Sequence, residues 1–198
     1  MSLRYFLPIY LLAYFIAAFF WRSHVVRKKT GVNPVVFKSS DSAHDFVGRI
    51  FKALFAVIVA VVVIAAFAPG AYQYLMPVHW LERTWIKLTG ILLLLISLLW
   101  TIFAQAQMGA SWRIGIDTEH RTELVRSGVF RISRNPIFVG MMATLLGLFL
   151  TIPNVVTLIT LLVGVILIGI QVRLEEEYLT RTHGDNYNEY RRNVRRWI

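Results

Sequence analysis

The sequence contains no cysteine and few acidic residues, and each shortage excludes a class of protein. Without cysteine there is no disulfide framework, no thiolate zinc site and no cysteine nucleophile. Eleven acidic residues stand against 21 lysines and arginines, which gives a net charge of +10. Hydrophobic residues reach 57%, and the mean hydropathy is +0.58. This composition excludes disorder, and a soluble domain of 198 residues could not bury so much apolar surface. We therefore expect an integral membrane protein.

Hydropathy predicts an all-α membrane protein with five transmembrane helices. Crossing the hydrocarbon takes about 17–25 apolar residues per helix, and the candidate spans are 4–21, 50–68, 85–104, 137–152 and 155–172. Only Pro153-Asn154 separates the short fourth span from the fifth. We predict a helical hairpin there, because a proline ends a helix. One long tilted helix over 137–172 is the alternative, with polar groups in mid-bilayer.

The distribution of lysine and arginine predicts the orientation of these spans. The 22–49 loop, the 105–136 loop and the tail from residue 173 carry six, five and six basic residues. The opposite side carries Arg4 and Arg83, with Lys87 beside them. Because positive charge collects on the cytoplasmic side, we expect the N-terminus outside and both the 105–136 loop and the tail inside the cell. This orientation explains the net positive charge without a nucleic acid as a partner.

The first span ends in Phe19-Phe20-Trp21 rather than in small residues, which favours a retained helix over a cleaved signal peptide.

The sequence lacks the motifs of several common kinds of functional site. The five histidines are scattered without a second ligand at helical spacing, so no metal site is predicted. The nucleophile elbow, the P-loop and the dinucleotide-binding glycine motif are all missing from the sequence. Polar chemistry is therefore expected in the 105–136 loop and the 173–198 tail.

The stretch from Leu124 to Gly140 combines turn-forming and basic residues. Gly128 permits a turn, and Pro136 suits the first turn of a helix, where its missing N–H costs nothing. The free N–H groups of such a helix start form a positive pole. A site for a negatively charged or polar group is one interpretation. The other is that Arg131 and Arg134 are only membrane anchors.

The segment after the fifth span is rich in carboxylates. Glu175, Glu176 and Glu177 follow Arg173 at a membrane boundary, where the anionic inner leaflet favours cations instead. Helical spacing would let Arg173 pair with Glu176 or Glu177. Ordinary solvated ion pairs are one interpretation of this segment, and a functional group of carboxylates is the other.

A stripe of aromatic and apolar residues follows Gly184, which can end a helix. Spacings of three, four and three residues join the members of the stripe, which are Tyr187, Tyr190, Val194 and Trp197. This spacing predicts an amphipathic C-terminal helix in the cytoplasm. The helix could lie on the membrane, or its aromatic side chains could cover a cofactor.

Two motifs in these stretches resemble a known family. Arg134-Asn135-Pro136-Ile137-Phe138-Val139-Gly140 resembles the Arg-His/Asn-Pro-x-Tyr-x-Gly signature of the isoprenylcysteine carboxyl methyltransferase family and its phospholipid methyltransferase relatives. Gly109-Ala110-Ser111-Trp112 and the 124–130 stretch are similar to the segment before that signature. The tail is similar to the pattern Glu-Glu-x-x-Leu-x-x-x-Phe-Gly-x-x-Tyr-x-x-Tyr, here Glu175-Glu176, Leu179, His183-Gly184, Tyr187 and Tyr190.

The resemblance divides the chain into two parts. Residues 105–198 resemble a methyltransferase core, made of the cytoplasmic loop, the hairpin and the tail. Residues 1–104 are expected to add three N-terminal transmembrane helices with a cytoplasmic loop. Departures from the family pattern are Asn135 for the commoner histidine, Phe138 for tyrosine and His183 for phenylalanine.

The resemblance implies a membrane methyltransferase that uses S-adenosylmethionine and acts on a lipid-borne or prenylated acceptor. The residues it implies at the cofactor are Leu124, Val125, Gly128, Arg134, Asn135, Pro136, Phe138, Glu176, Tyr187 and Tyr190. It implies catalytic or acceptor-facing roles for Arg173, Glu175 and Glu176. The bilayer and a lipophilic acceptor are the expected partners.

The chemistry of the acceptor stays open between two nucleophiles. A carboxylate is already ionised at neutral pH and needs a cation such as Arg173 to orient it. An amine must lose a proton and needs a base such as Glu176. Since the nearer resemblance is to carboxyl methyltransferases, O-methylation of a carboxylate is the expectation and N-methylation of a phospholipid amine the alternative. An NADPH-dependent reductase related to sterol reductases, or a membrane protein without catalysis, are the other classes.

The predicted orientation can be tested by labelling. Cysteines introduced near residues 117 and 188 should resist a membrane-impermeant thiol reagent in intact cells, because both positions are predicted to be cytoplasmic. The same positions should react once the cells are opened. Labelling in intact cells would show that the orientation is inverted.

Overall fold

The computed structural model describes residues 5–36, 41–115, 117 and 122–198 of the chain, and this part is helical. Six helices form the frame of the described part. The connections between them contain short helical turns and two isolated β-bridges, Val35 with Ile114 and Pro77 with Asn154. The helices are α1 (Phe6–Thr30), α2 (Ala43–Phe67), α3 (Thr84–Met108), α4 (Pro136–Thr151), α5 (Val155–His183) and α6 (Asp185–Asn193).

Four of these helices are long and apolar enough to cross a membrane: α1, α2, α3 and α5. The fourth predicted span is the shorter α4, with 16 residues. Sixteen residues rise about 24 Å, which is less than the roughly 30 Å of the hydrocarbon core. The chain is therefore a multi-pass membrane protein by helix length and hydropathy. A complete fifth crossing and the orientation of the bundle stay predictions.

The long helices exceed the spans that hydropathy predicts. The first continues to Thr30 and the last to His183, beyond the apolar stretch in each case. Basic side chains in the last turns of both helices, such as Lys29 and Arg181, suit the negative pole of a helix C-terminus. Hydropathy detects only the part of a helix that matches hydrocarbon, so it misses these water-facing turns.

The helix ends near Thr30, Met108 and Pro136 lie together, and we call this end of the bundle the motif end. α1 reaches it through a π-helical stretch, Ile16–Trp21. The next residue, Arg22, donates from Nη2 to the carbonyl of Gly109 at 2.5 Å, just beyond α3. α1 is therefore fastened to the start of the loop that carries the candidate site.

α3 and α4 pack closely because small residues face each other. A Cβ placed on Gly90 would lie 2.6 Å from Thr151 Oγ1 and 2.8 Å from the Gly147 carbonyl oxygen. Side-chain hydroxyls support the same interface, since Ser97 and Thr144 hydrogen-bond at 2.9 Å. Close approach at small residues is the usual way in which membrane helices associate.

The predicted hairpin turn is present between α4 and α5. α4 ends at Thr151, and the fully buried Asn154 caps α5 by accepting from the Thr157 backbone N–H at 2.9 Å. Thr157 Oγ1 accepts from the Asn154 N–H in return, which completes a capping box. This break excludes a single helix over 137–172.

The interface between α3 and α4 predicts a large effect for a small substitution. Gly90→Ala should destabilise the protein by roughly 1–3 kcal/mol, because the added methyl group meets backbone atoms that cannot turn away. Gly70→Ala is the matched control, since nothing lies within 4 Å of a Cβ at that position. Thermal unfolding in detergent should show a lower Tm for Gly90→Ala alone. Equal Tm values would mean that the interface is looser than described.

Candidate active site

A buried carboxylate joins three parts of the chain at the motif end. Glu176 of α5 is 4% exposed. Its Oε1 accepts from Arg134 Nη2 at 3.0 Å and its Oε2 from Arg196 Nη2 at 2.8 Å. Asn135 Nδ2 also donates to Oε1, at 3.3 Å. We call these four residues the Glu176 cluster. Removing one partner from such a buried ion pair costs about 3–5 kcal/mol.

The start of α4 holds two members of the cluster in place. Pro136 is the first residue of α4, so Asn135 occupies the flanking position before the helix. The Asn135 backbone N–H donates to Ser133 Oγ at 3.1 Å, and the indole of Trp100 in α3 donates to the Pro136 carbonyl at 2.7 Å. Glu176 therefore lies at the positive pole of α4, where a negative charge is favoured.

The same residues hold the end of the chain, residues 194–198, which we call the strap. Arg134 Nη1 donates to the carbonyls of Arg191 at 2.9 Å and Val194 at 2.5 Å. The Arg134 backbone N–H donates to the Arg195 carbonyl at 2.9 Å. The Arg196 carbonyl accepts from Asn135 Nδ2 at 3.2 Å. The strap is thus bound along its backbone.

These bonds correct the prediction of one amphipathic helix through Trp197. α6 ends at Asn193, and Val194 is extended with φ −126° and ψ 136°. The strap carbonyls bond to Arg134 and Asn135 instead of continuing the helical ladder. Trp197 still packs on an apolar cluster of α4 and α5, but from an extended segment. The prediction is right for Tyr187 and Tyr190, which are both buried on α6.

The two tyrosines of α6 are buried and keep their protons at neutral pH. Tyr187 is 1% exposed, and its ring meets that of Tyr190 edge-on at 6.1 Å. Burial raises the pKa of Tyr187 to about 12, and burial also raises the pKa of Tyr190. Tyr190 therefore keeps its proton and donates it to the Phe130 carbonyl at 2.6 Å. This bond ties α6 to the loop before α4.

Gly128 and Val125 fix that loop on α3. Gly128 has φ +61°, and a Cβ there would overlap the side chain of Gln107. Gln107 Oε1 accepts from the next backbone N–H, that of Val129, at 2.7 Å. Val125 packs on an apolar cluster formed by α3 and Phe130. The turn predicted at Gly128 is present, and its reason is the close approach of α3.

A cleft of about 440 Å³ opens beside the junction of α5 and α6. Its lining combines one apolar and several polar side chains: Thr122, Glu123, Leu124, Arg126, His183 and Asn186. His183 follows Glu176 by two turns of α5, so the cleft lies about 10 Å along the helix axis from the Glu176 cluster. Leu124 is the predicted cofactor residue that lines this cleft.

The surroundings of Glu175 differ from those of Glu176. Its Oε1 accepts from Gln171 Nε2 at 2.9 Å, and Gln171 is buried on α5. One turn further along the same face, the Tyr178 hydroxyl donates to the Asp117 carbonyl at 2.5 Å. Glu175 is half-buried on this inward face. Its hydrogen-bond partner among the described residues is the neutral amide of Gln171.

Arg173 lies on the other side of α5. Two residues along a helix turn by about 200°, so Arg173 and Glu175 point about 160° apart. Arg173 is exposed and donates to the Gly169 carbonyl of its own helix at 2.7 Å. It follows the exposed side chains of Ile166 and Ile170 at helical spacing. This position is typical of a cation at the edge of a lipid-facing surface.

The pairing of Arg173 with Glu176 or Glu177, which helical spacing permits, is not formed in the structure. Glu176 pairs with Arg134 and Arg196, and Glu177 pairs with Arg181 one turn further along α5. The reason is the direction of each side chain: Glu176 points at the start of α4, while Arg173 points away from the bundle. Helical spacing permits a pair without determining it.

Comparison with known proteins identifies the family. The family model described as phospholipid methyltransferase matches residues 85–186, slightly more than half of the chain. The chain belongs to the phospholipid methyltransferase family. It is therefore a membrane methyltransferase that uses S-adenosylmethionine and acts on a lipid acceptor. No curated protein matches the chain.

The cleft of this phospholipid methyltransferase has the size and the mixed lining of a small-molecule site. Its volume of about 440 Å³ lies within the roughly 300–1,000 Å³ usual for small-molecule sites. Leu124 offers an apolar surface for the adenine ring. Glu123 and Arg126 have opposite charges, which suits ribose hydroxyls on one side and a zwitterionic amino-acid end on the other. Asn186 adds a hydrogen-bonding amide.

The structure brings together part of the predicted site. Arg134, Asn135, Glu176 and Tyr187 form or adjoin one buried cluster, and Leu124 lines the cleft. The other predicted cofactor residues lie in packed positions or at the turn of the loop, and their contact with a cofactor stays a prediction: Val125, Gly128, Pro136, Phe138 and Tyr190. Sequence reasoning missed Arg196, which it counted as a membrane-side cation. No spacing rule connects it with Glu176 across the turn at Gly184.

The Glu176 cluster predicts how the strap is held. Arg196→Gln should expose the strap and speed tryptic cleavage after Arg191 and Arg192 several-fold, because it leaves Glu176 with one guanidinium. Hydrogen bonds with Glu176 raise the pKa of Arg196, so this partner stays charged in the wild-type protein. Arg195→Gln is the matched control, since it also removes one tryptic site and its side chain is exposed. Equal cleavage of the two variants would contradict a role for Arg196 in holding the strap.

Proposed function

We propose that this phospholipid methyltransferase methylates the amine nitrogen of a phospholipid headgroup. The observation that carries the proposal is Glu175. It is a carboxylate on the inward face of α5, and its partner in the described part of the chain is the neutral amide of Gln171. A carboxylate without a cation favours a cationic ligand, and a protonated amine is the cation of a phospholipid headgroup.

The arrangement of arginines disfavours a carboxylate acceptor, which the resemblance to carboxyl methyltransferases had suggested. Arg134 and Arg196 are both engaged by Glu176. Arg173, the cation expected to orient a carboxylate, is exposed on the opposite side of α5 from Glu175. Amine N-methylation, the alternative drawn from the sequence, therefore agrees better with the geometry.

Within this proposal, the two adjacent glutamates have separate tasks. Glu176 is fully engaged by Arg134, Asn135 and Arg196, so it serves to position the strap and the start of α4. Glu175 Oε1 is held by Gln171, which leaves Oε2 to attract the headgroup ammonium and receive its proton. Arg173 is assigned to the membrane surface.

The proposal also assigns the cofactor to the cleft beside Leu124. The bound cofactor supplies an electrophilic methyl group, and the chain's own residues position and shield the partners. Glu123 and Arg126 bind its polar groups, and Leu124 excludes water from the adenine face. Glu175 lies three residues beyond the apolar stretch of α5 that ends near Val172, which places it near the depth of lipid headgroups.

Glu175→Gln should reduce methyl transfer to phosphatidylethanolamine vesicles by about 10²–10⁴-fold, the usual contribution of a general base. The loss should shrink between pH 6 and pH 9, because the amine increasingly loses its proton without help. Arg173→Gln is the matched control and should keep most activity. Transfer of a labelled methyl group from S-adenosylmethionine measures both variants, with S-adenosylhomocysteine affinity as the check on the cofactor site.

Two outcomes would contradict the assignment. Near-wild-type turnover of Glu175→Gln, with normal cofactor affinity, would remove Glu175 from the chemistry. A larger loss for Arg173→Gln, together with methylation of a lipid carboxylate, would support O-methylation instead.

A further inference from the structure

A second cavity lies at the end of the bundle away from the motif end. Its volume is about 220 Å³, and it lies between α1, α2, α3 and the end of α4. Six of its seven lining residues offer apolar groups or a hydroxyl, and one carries a charge: Leu7, Val62, Ala65, Ala66, Thr151, Ile152 and Lys87. The cavity shares no residue with the Glu176 cluster or with the cleft beside Leu124.

Lys87 is the unusual member of this lining. It is half-buried in the first turn of α3, where the positive pole of a helix disfavours a cation. No ion pair or side-chain hydrogen bond involves its ammonium group among the described residues. Lys87 Nζ is not one of the buried side-chain atoms without a partner in the described residues, so the ammonium is open to a ligand from outside the protein.

The chain itself offers little to neutralise Lys87. Of its eleven acidic residues, Glu82 alone lies in the connections at this end of the bundle. Glu82 Oε2 is bonded to His79 Nδ1 at 2.9 Å. The hydroxyl of Thr151 is also engaged, since it donates to the Gly147 carbonyl at 2.7 Å. An anion that binds Lys87 would therefore come from outside the chain.

Aromatic side chains show the depth of Lys87 in the membrane. Tyr74, Trp80 and Trp85 are all highly exposed at this end, as in the aromatic belts at the level of lipid headgroups. Lys87 follows Trp85 by two residues, about 3 Å along the helix axis. Its ammonium can therefore reach the phosphate level, while the apolar lining extends toward the hydrocarbon.

We propose that this cavity binds one glycerophospholipid, with its phosphate on Lys87 and an acyl chain against Leu7, Val62 and Ala65. Charge, depth and apolar lining all fit this ligand. The site recognises the phosphate rather than an amine, so it is separate from methyl transfer and binds lipids that are not acceptors. The lipid would fill the space between the N-terminal helix and the α3–α4 pair.

Native mass spectrometry of the full chain in detergent tests the site. The probe is phosphatidylglycerol, which has the phosphate but no amine, and diacylglycerol with the same chains is the comparison. The wild-type protein should bind one phosphatidylglycerol more tightly than diacylglycerol. Lys87→Met should weaken phosphatidylglycerol binding about tenfold and leave diacylglycerol unchanged. Lys87→Arg should restore the preference.

Two further variants separate this site from general surface charge. Arg83→Met removes an exposed cation four residues earlier and should keep tight binding. Ala65→Phe keeps Lys87 but fills the cavity, so it should weaken both lipids. Unchanged phosphatidylglycerol affinity in Lys87→Met, or an equal loss in Arg83→Met, would overturn the phosphate site. Unchanged binding in Ala65→Phe would overturn the acyl-chain site.

Discussion

The pairing of Glu176 with two arginines is the interaction on which the motif end depends. One guanidinium belongs to Arg134, just before α4. The other belongs to Arg196 in the strap, 20 residues beyond Glu176. Both carboxylate oxygens accept hydrogen bonds, so the start of α4, the last third of α5 and the strap are joined at one residue. A buried carboxylate is costly to leave unpaired, and this cost makes the three parts mutually dependent.

Adjacent residues of α5 show how direction along a helix separates roles. Glu175 and Glu176 differ by about 100° around the axis, and Arg173 points to a third side. The three side chains therefore meet a neutral amide, two guanidinium groups and the lipid-facing surface, respectively. The family match covers this part of α5 and makes the chain a methyltransferase, while the surroundings of each residue support its proposed task.

Local signals in the sequence predict most of the frame. Pro136 begins α4, Pro153-Asn154 separates α4 from α5, and Gly184 ends α5, because each residue has a backbone reason to be there. Partners distant along the chain could not be predicted this way. Arg134 bonds to carbonyls some 60 residues later and draws the strap out of the helical pattern that its spacing suggested. The positive charge of Arg196 did not indicate that its ion-pair partner would be Glu176.

The length of α5 has a consequence for how the chain can vary. The helix continues for eleven residues past Val172, as far as His183, and carries one wall of the cleft at its far end. Each residue of that stretch adds about 1.5 Å and 100° of rotation. Substitutions at the exposed Glu177 and Arg181 leave the direction of His183 about the axis of α5 unchanged. Deleting a single residue between Val172 and His183 would turn His183 away from Leu124. The number of residues in this stretch is therefore constrained more strongly than their identity.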